Sequence, residues 1–116
     1  MLEFYCFPTW TTCRKAKAWL SEKGVDYNYR DIVKEPPTTA ELFELAGMGG
    51  IRVNGLLNER STNYKKAKIN AKDLSEREVA EFLAANPKAM YRPLLTDGKK
   101  LVVGFVPEQI EGFLKG

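Results

Sequence analysis

The chain has 116 residues, 44% of them hydrophobic, which suits one domain with its own core rather than a disulfide-dependent miniprotein. It contains no histidine, which excludes Cys–His catalysis and most zinc sites, and its net charge of +3 falls short of a dedicated nucleic-acid binder. Two cysteines, and a start (MLEFYCF) with neither a basic leader nor the length of a membrane span, give the expectation of a reducing, cytoplasmic setting.

Leu2–Cys6 (LEFYC) is apolar at nearly every position, which predicts a strand buried on both faces and ended by Pro8. A helix is predicted over Thr12–Lys23, capped by Thr11 or Thr12, with Ala16, Trp19 and Leu20 inward and Gly24 just past its end. Cys13 then falls in the first turn of that helix. Unpaired N–H groups, the helix dipole and the adjacent Arg14 all favour a thiolate there, so a pKa below the free-thiol value of roughly 8.5 is expected. A strand that delivers a cysteine onto a helix N-terminus is how thioredoxin-like redox sites are built. A cysteine on an amphipathic helix is equally a small buried hydrophobe, and this stretch alone leaves both readings open.

Val25–Val33 alternates as a second strand with Val25, Tyr27, Tyr29 and Asp31 on one face, and a βαβ unit of this length forces a parallel pair. Lys34-Glu35-Pro36-Pro37 then breaks the chain, and the pattern turns helical. Thr38 and Glu41 form a capping box that opens a helix through Ala46, closed by Gly47, Gly49 and Gly50. A short helix is predicted over Ile51–Asn58, and Glu59–Lys68 is polar, anchored by Tyr64, with the run Lys65-Lys66-Ala67-Lys68 as a solvated helix face. Ser75 and Glu78 form a second capping box, ahead of a helix that turns Val79, Phe82 and Leu83 inward and stops before Pro87. Strands over Arg92–Thr96 and Lys100–Phe105 flank the hairpin signal Asp97-Gly98, and Pro107–Leu114 closes as a helix with Ile110, Phe113 and Leu114 inward. The order βαβ, helical block, ββα predicts an α/β sandwich in which segments 1–34 and 88–116 form the core and 35–87 a helical insertion.

Three pieces of this chain, FPTWTTCRKAKAWL, LLNERSTNY and YRPLLTDGKKLVVGF, resemble the arsenate reductase/Spx family, and in particular its small Spx/MgsR-like and YusI/YffB-like members. The resemblance spans the chain and implies a thioredoxin-like fold: a four-stranded mixed sheet with an inserted helical subdomain. It also exposes departures. Where such proteins carry the first cysteine of the turn, this chain has Trp10, which can neither attack arsenate nor join a disulfide. Of the family's oxyanion-binding arginines, Arg92 matches one, while the others fall near Asn58 (Arg60 is two residues on) and near Gly104. Arsenate reduction is therefore not expected.

What the resemblance retains is a thiol site. Cys13 holds the second cysteine position of the turn. Pro93 matches the family's cis-proline, which lets an extended thiol substrate pair with the backbone. Arg92 is a second cation for the Cys13 sulfur or, on the plainer reading, a surface arginine. Trp10, with Thr12 and Arg14, is a substrate-contacting residue of the turn or a loop aromatic folded onto the sheet. Cys6 alternates inward with Leu2 and Phe4, so a buried core cysteine is favoured; the sharper reading, a partner resolving oxidised Cys13, needs Cα atoms within about 7 Å.

Two functions follow from the resemblance. One is a monothiol, glutaredoxin-like thiol–disulfide oxidoreductase acting through a partly exposed Cys13, with an external thiol such as glutathione or bacillithiol and no resident cofactor or metal. The other is a Spx-like redox-sensing regulator or interaction module that binds RNA polymerase. In neither does the chain contact nucleic acid directly or enter a membrane.

Overall fold

Period-2 patterning and a tight turn generate the central sheet. Strand β1 (Leu2–Cys6) pairs in parallel with β2 (Tyr27–Asp31), and antiparallel with β3 (Leu94–Thr96), which pairs antiparallel with β4 (Leu101–Val103). Among the described residues the sheet is four-stranded and mixed, in the order β2-β1-β3-β4. The structure is a computed structural model that describes residues 2–6 and 11–115, with side chains described up to residue 112. Helix α1 (Thr11–Glu22) makes the crossover between β1 and β2 and ends where Gly24, at φ +67°, lets the Val25 N–H donate back to the Leu20 carbonyl at 3.0 Å. Helices α2 (Thr39–Met48), α3 (Thr62–Ala67) and α4 (Glu76–Ala85) form the insertion, and α5 (Pro107–Lys115) returns to the sheet. Among the described residues no helix is long and apolar enough to cross a membrane.

Each sheet face has its own core. Leu2, Phe4, Cys6, Leu95 and Val102 pack with Cys13, Ala16 and Leu20 of α1 and Ile110 of α5. Across the sheet, Leu94 packs with Leu42, Leu45, Val79 and Leu83 of α2 and α4. β1 differs from the expectation of burial on both faces. Glu3 and Tyr5 are half-buried, because the helical layer on their side covers them only in part and Tyr5 lies under the Arg30 guanidinium, 5.7 Å from its ring.

Both capping boxes form, at Thr38–Glu41 and Ser75–Glu78, so α2 and α4 start where their local chemistry directs. Two elements depart from expectation. β2 is shorter than Val25–Val33, because the Asp31 carboxylate accepts from the Val33 and Lys34 N–H groups and turns the chain out of the strand. Over Ile51–Asn58 only a 3-10 turn forms, at Val53–Leu56, with Asn54-Gly55 unfavourable to a longer helix. The polar stretch Glu59–Lys68 contains α3, capped by the Ser61 hydroxyl, which accepts from the Tyr64 N–H at 3.1 Å. No residue of α3 is buried, so its sequence carries no apolar period. Tyr64 does anchor this stretch, with its ring 6.4 Å from Phe82 and its hydroxyl accepting from the Ala71 N–H at 2.9 Å.

Arg30 ties β2 to the insertion. It donates to both carboxylate oxygens of Glu41, at 3.0 Å for one of them, and to the Glu35 and Pro36 carbonyls at 2.9 and 3.1 Å. The Arg30 guanidinium, followed by the Thr38 N–H, holds the Glu41 carboxyl down to about 2. A carboxylate with a depressed folded-state pKa stabilises above its ordinary range and loses that contribution as pH falls toward the folded value. The expected result is a loss of about 1–2 kcal/mol between about pH 4.5 and 2, discounted for the solvent around this pair. Glu41→Gln should lose a similar amount at pH 7 and flatten that part of the acid-unfolding curve; an unchanged curve would remove the clamp from the stability account.

Candidate functional site

Cys13, Ala16 and Leu20 lie at i, i+3 and i+7, one apolar stripe of α1, and that stripe faces the sheet. Cys6 ends β1 on the same face. The two Cα atoms are 6.1 Å apart and the sulfurs are joined in a disulfide, a separation inside the range such bonds require. Both cysteines are 0% exposed. The expectation of a partly exposed Cys13 is thereby corrected: the stripe that makes α1 amphipathic carries this sulfur into the core. α1 also begins at Thr11, so Thr11 and Thr12 are its first two residues; Trp10 with its proposed contacts lies outside the described residues. Thr12 is half-buried and Arg14 lies on the exposed side of the helix.

The Arg92–Pro93 bond is cis. Tyr5 stands opposite Leu94 in the β1–β3 ladder, so Pro93 lies one residue past that pair, at the end where β1 leaves the sheet. Pro93 is buried, and its carbonyl accepts from the Gly104 N–H at 2.8 Å, where Gly104 adopts φ +88°. Arg92 is half-buried, and burial draws its pKa below the ordinary value. It lines a cleft of about 310 Å³ together with Asn58, Arg60, Ser61, Thr62, Asn63 and Lys88.

Backbone pairing brings that cleft together. The Asn58 N–H donates to the Ala89 carbonyl and the Tyr91 N–H to the Leu56 carbonyl, both at 2.8 Å, around an antiparallel bridge between Leu57 and Met90. Residues 56–58 are thus laid along residues 89–91, which sets Asn58 and Arg60 against Lys88 and Arg92.

A profile of the ArsC family matches residues 5–113. The chain belongs to the ArsC family. It is 36% identical over 109 residues to the regulatory protein MgsR of Bacillus subtilis, covering 94% of this chain and 86% of that one. It is 32% identical over 114 residues to the global transcriptional regulator Spx of Lactococcus lactis, covering 98% of this chain and 86% of that one. Among solved structures, an ArsC family related protein from Bacteroides fragilis superposes with a TM-score of 0.88 at 34% identity, covering 96% and 95% of the two chains. The architecture is that of the thioredoxin-like ArsC fold.

Within this ArsC-family frame the cysteine pair can exist as dithiol or disulfide, and the cleft can attract anions. Lys88, Ser61, Thr62 and Asn63 were not singled out from the sequence. Ser61, Thr62 and Asn63 are far from Arg92 along the chain, and Lys88, four residues before it, carries no pattern that marks it.

Proposed function

We propose that this ArsC-family chain is a thiol–disulfide redox protein in which Cys13 reacts and Cys6 is its intramolecular partner. The observation that carries this reading is the 6.1 Å Cα separation with the sulfurs bonded. It modifies the expectation of Cys13 acting alone: Cys6 replaces the missing cysteine of the turn from the strand side. In the reductive direction an external thiolate attacks the disulfide, forms a mixed disulfide and releases the other cysteine as thiolate. A second external thiol displaces the first, leaving the protein dithiol and one external disulfide, with two electrons transferred. The reverse sequence oxidises the protein at the expense of a disulfide substrate.

The test is a redox titration in dithiothreitol buffers, read by alkylation and mass spectrometry. One two-electron transition shared by Cys6 and Cys13, lost in Cys6→Ser and in Cys13→Ser, is expected. Independent alkylation of two cysteines that never pair would end this reading. Arsenate turnover should not exceed background with glutathione and glutaredoxin supplied, since Trp10, Asn58 and Gly104 stand where nucleophile and two arginines would. Turnover abolished by Cys13→Ser would overturn that exclusion.

The similarity to MgsR and Spx favours a second reading, a regulator whose cysteine pair senses oxidation while the fold binds RNA polymerase. Binding of the purified protein to RNA polymerase that changes when the pair is reduced would select it.

A further inference from the structure

Strand β4 is one edge of the sheet, and its register fixes which of its backbone groups stay open. The Gly104 N–H donates to the Pro93 carbonyl, so in the alternating antiparallel pattern Leu95 and Val102 form the next hydrogen-bonded pair. The N–H and carbonyl groups of Leu101 and Val103 therefore point away from β3. Among the described residues no hydrogen bond meets them from the open side. A groove of about 370 Å³ runs along this edge. Met48 and Gly49, at the end of α2, wall it on one sheet face, and Gln109 and Gly112 of α5 wall it on the other, with Leu101 between. The Thr96 hydroxyl, 3.2 Å from the Met48 sulfur, holds that side chain in place. A methyl group on Gly112 would meet no atom of another element within 4 Å among the described residues, so the space beside α5 is open.

We infer that β4 is a docking edge for an extended, acidic segment of a partner protein, which adds to the sheet as a fifth strand. The open backbone groups set the extended form. A strand laid along Leu101–Val103 finds two donors and two acceptors spread over about 7 Å, at the ordinary strand rise. The walls receive its side chains, because successive residues of a strand point to opposite faces: one towards Met48 and Leu101, the next towards Gln109 and Gly112. Charge sets the sign of the segment. Lys99 and Lys100 are exposed where the hairpin enters the edge, and among the described residues no acidic side chain lines the groove. The nearby Asp97 carboxylate is taken up by the turn, accepting from the Lys99 and Lys100 N–H groups, both at 2.9 Å. A second copy of this chain fits less well, since it brings the same two lysines and a net charge of +3 to an edge that is already basic. The cysteine pair takes no part, so this surface stands or falls independently of the redox reading.

The test titrates isotope-labelled protein with the acetylated, amidated peptide Asp-Val-Thr-Val-Glu and follows the amide resonances. Those of Leu101 and Val103 should shift, and binding should weaken as salt rises. The peptide Lys-Val-Thr-Val-Lys should bind about fivefold more weakly. Val103→Pro removes one outward donor and no ladder bond, so it should weaken binding about fivefold while the fold persists. Where that variant loses its thermal transition, Gly112→Glu decides. It favours the helix, fills the groove and places a carboxylate in it, and the shifts should be lost. No shifts at Leu101 and Val103, shifts that survive Gly112→Glu, or equal binding of the basic peptide would overturn the proposal. Sedimentation that finds a dimer dissolved by Val103→Pro would overturn it too, because the edge would then belong to a second copy.

Discussion

Reducing the Cys6–Cys13 disulfide is expected to lower the melting temperature by roughly 10 °C. The bond closes a short loop, with a sequence separation of 7, and restricts the unfolded chain by about 2–3 kcal/mol in the chain-entropy account. For a domain of this size about 4 °C accompanies each kcal/mol. The measurement is a thermal melt before and after reduction, with the redox state verified by mass. Cys6→Ala/Cys13→Ala should melt near the reduced protein and ignore the reductant. A melting point that stays put after verified reduction would show that the pair contributes no stability.

Phe4→Ala is expected to cost about 3–5 kcal/mol, the range for truncating a large buried aromatic. Phe4 is 1% exposed, on the central strand, and its ring meets Tyr27 at 5.5 Å edge-on and Tyr29 at 5.6 Å. It thus joins β1 to β2 on the face that also carries Cys6. Phe4→Leu keeps most of the volume and should lose far less, about 1–1.5 kcal/mol. Chemical denaturation compares the variants. The Ala variant should also let a thiol reagent reach Cys6 sooner in the reduced protein, because Phe4 and Cys6 share one packed layer. A cost near that of Phe4→Leu would mean that the layer closes over the missing ring.

Local chemistry, written in neighbouring residues, determined much of this protein. Thr38 with Glu41 and Ser75 with Glu78 satisfy their own helix starts, and Asp97-Gly98 turns its hairpin with Gly98 at φ +94°. Such features act over three or four residues and do not depend on what packs nearby. The inward positions Ala16 and Leu20 of α1 are equally legible, and so is the inward alternation of Leu2, Phe4 and Cys6. Family resemblance added the sheet order's class and the cis bond before Pro93, which periodicity does not encode.

What only the tertiary structure decided is how those pieces meet. Cys6 was expected on an inward face and Cys13 at a partly exposed helix start, and neither position revealed that the two meet at 6.1 Å, because that depends on how α1 lies across the sheet. The same packing replaced an exposed Cys13 with a buried one. α3 was legible only as a solvated helix face over its lysines, and its start at Thr62 was not, because a helix without a buried face leaves no period to find. The cleft is the extreme case: Arg60 shares no pattern with Lys88 and Arg92, and the pairing of residues 56–58 with 89–91 makes it their neighbour. Sequence determines what lies within reach along the chain; charges and sulfurs that converge across it are placed by the burial of everything between them.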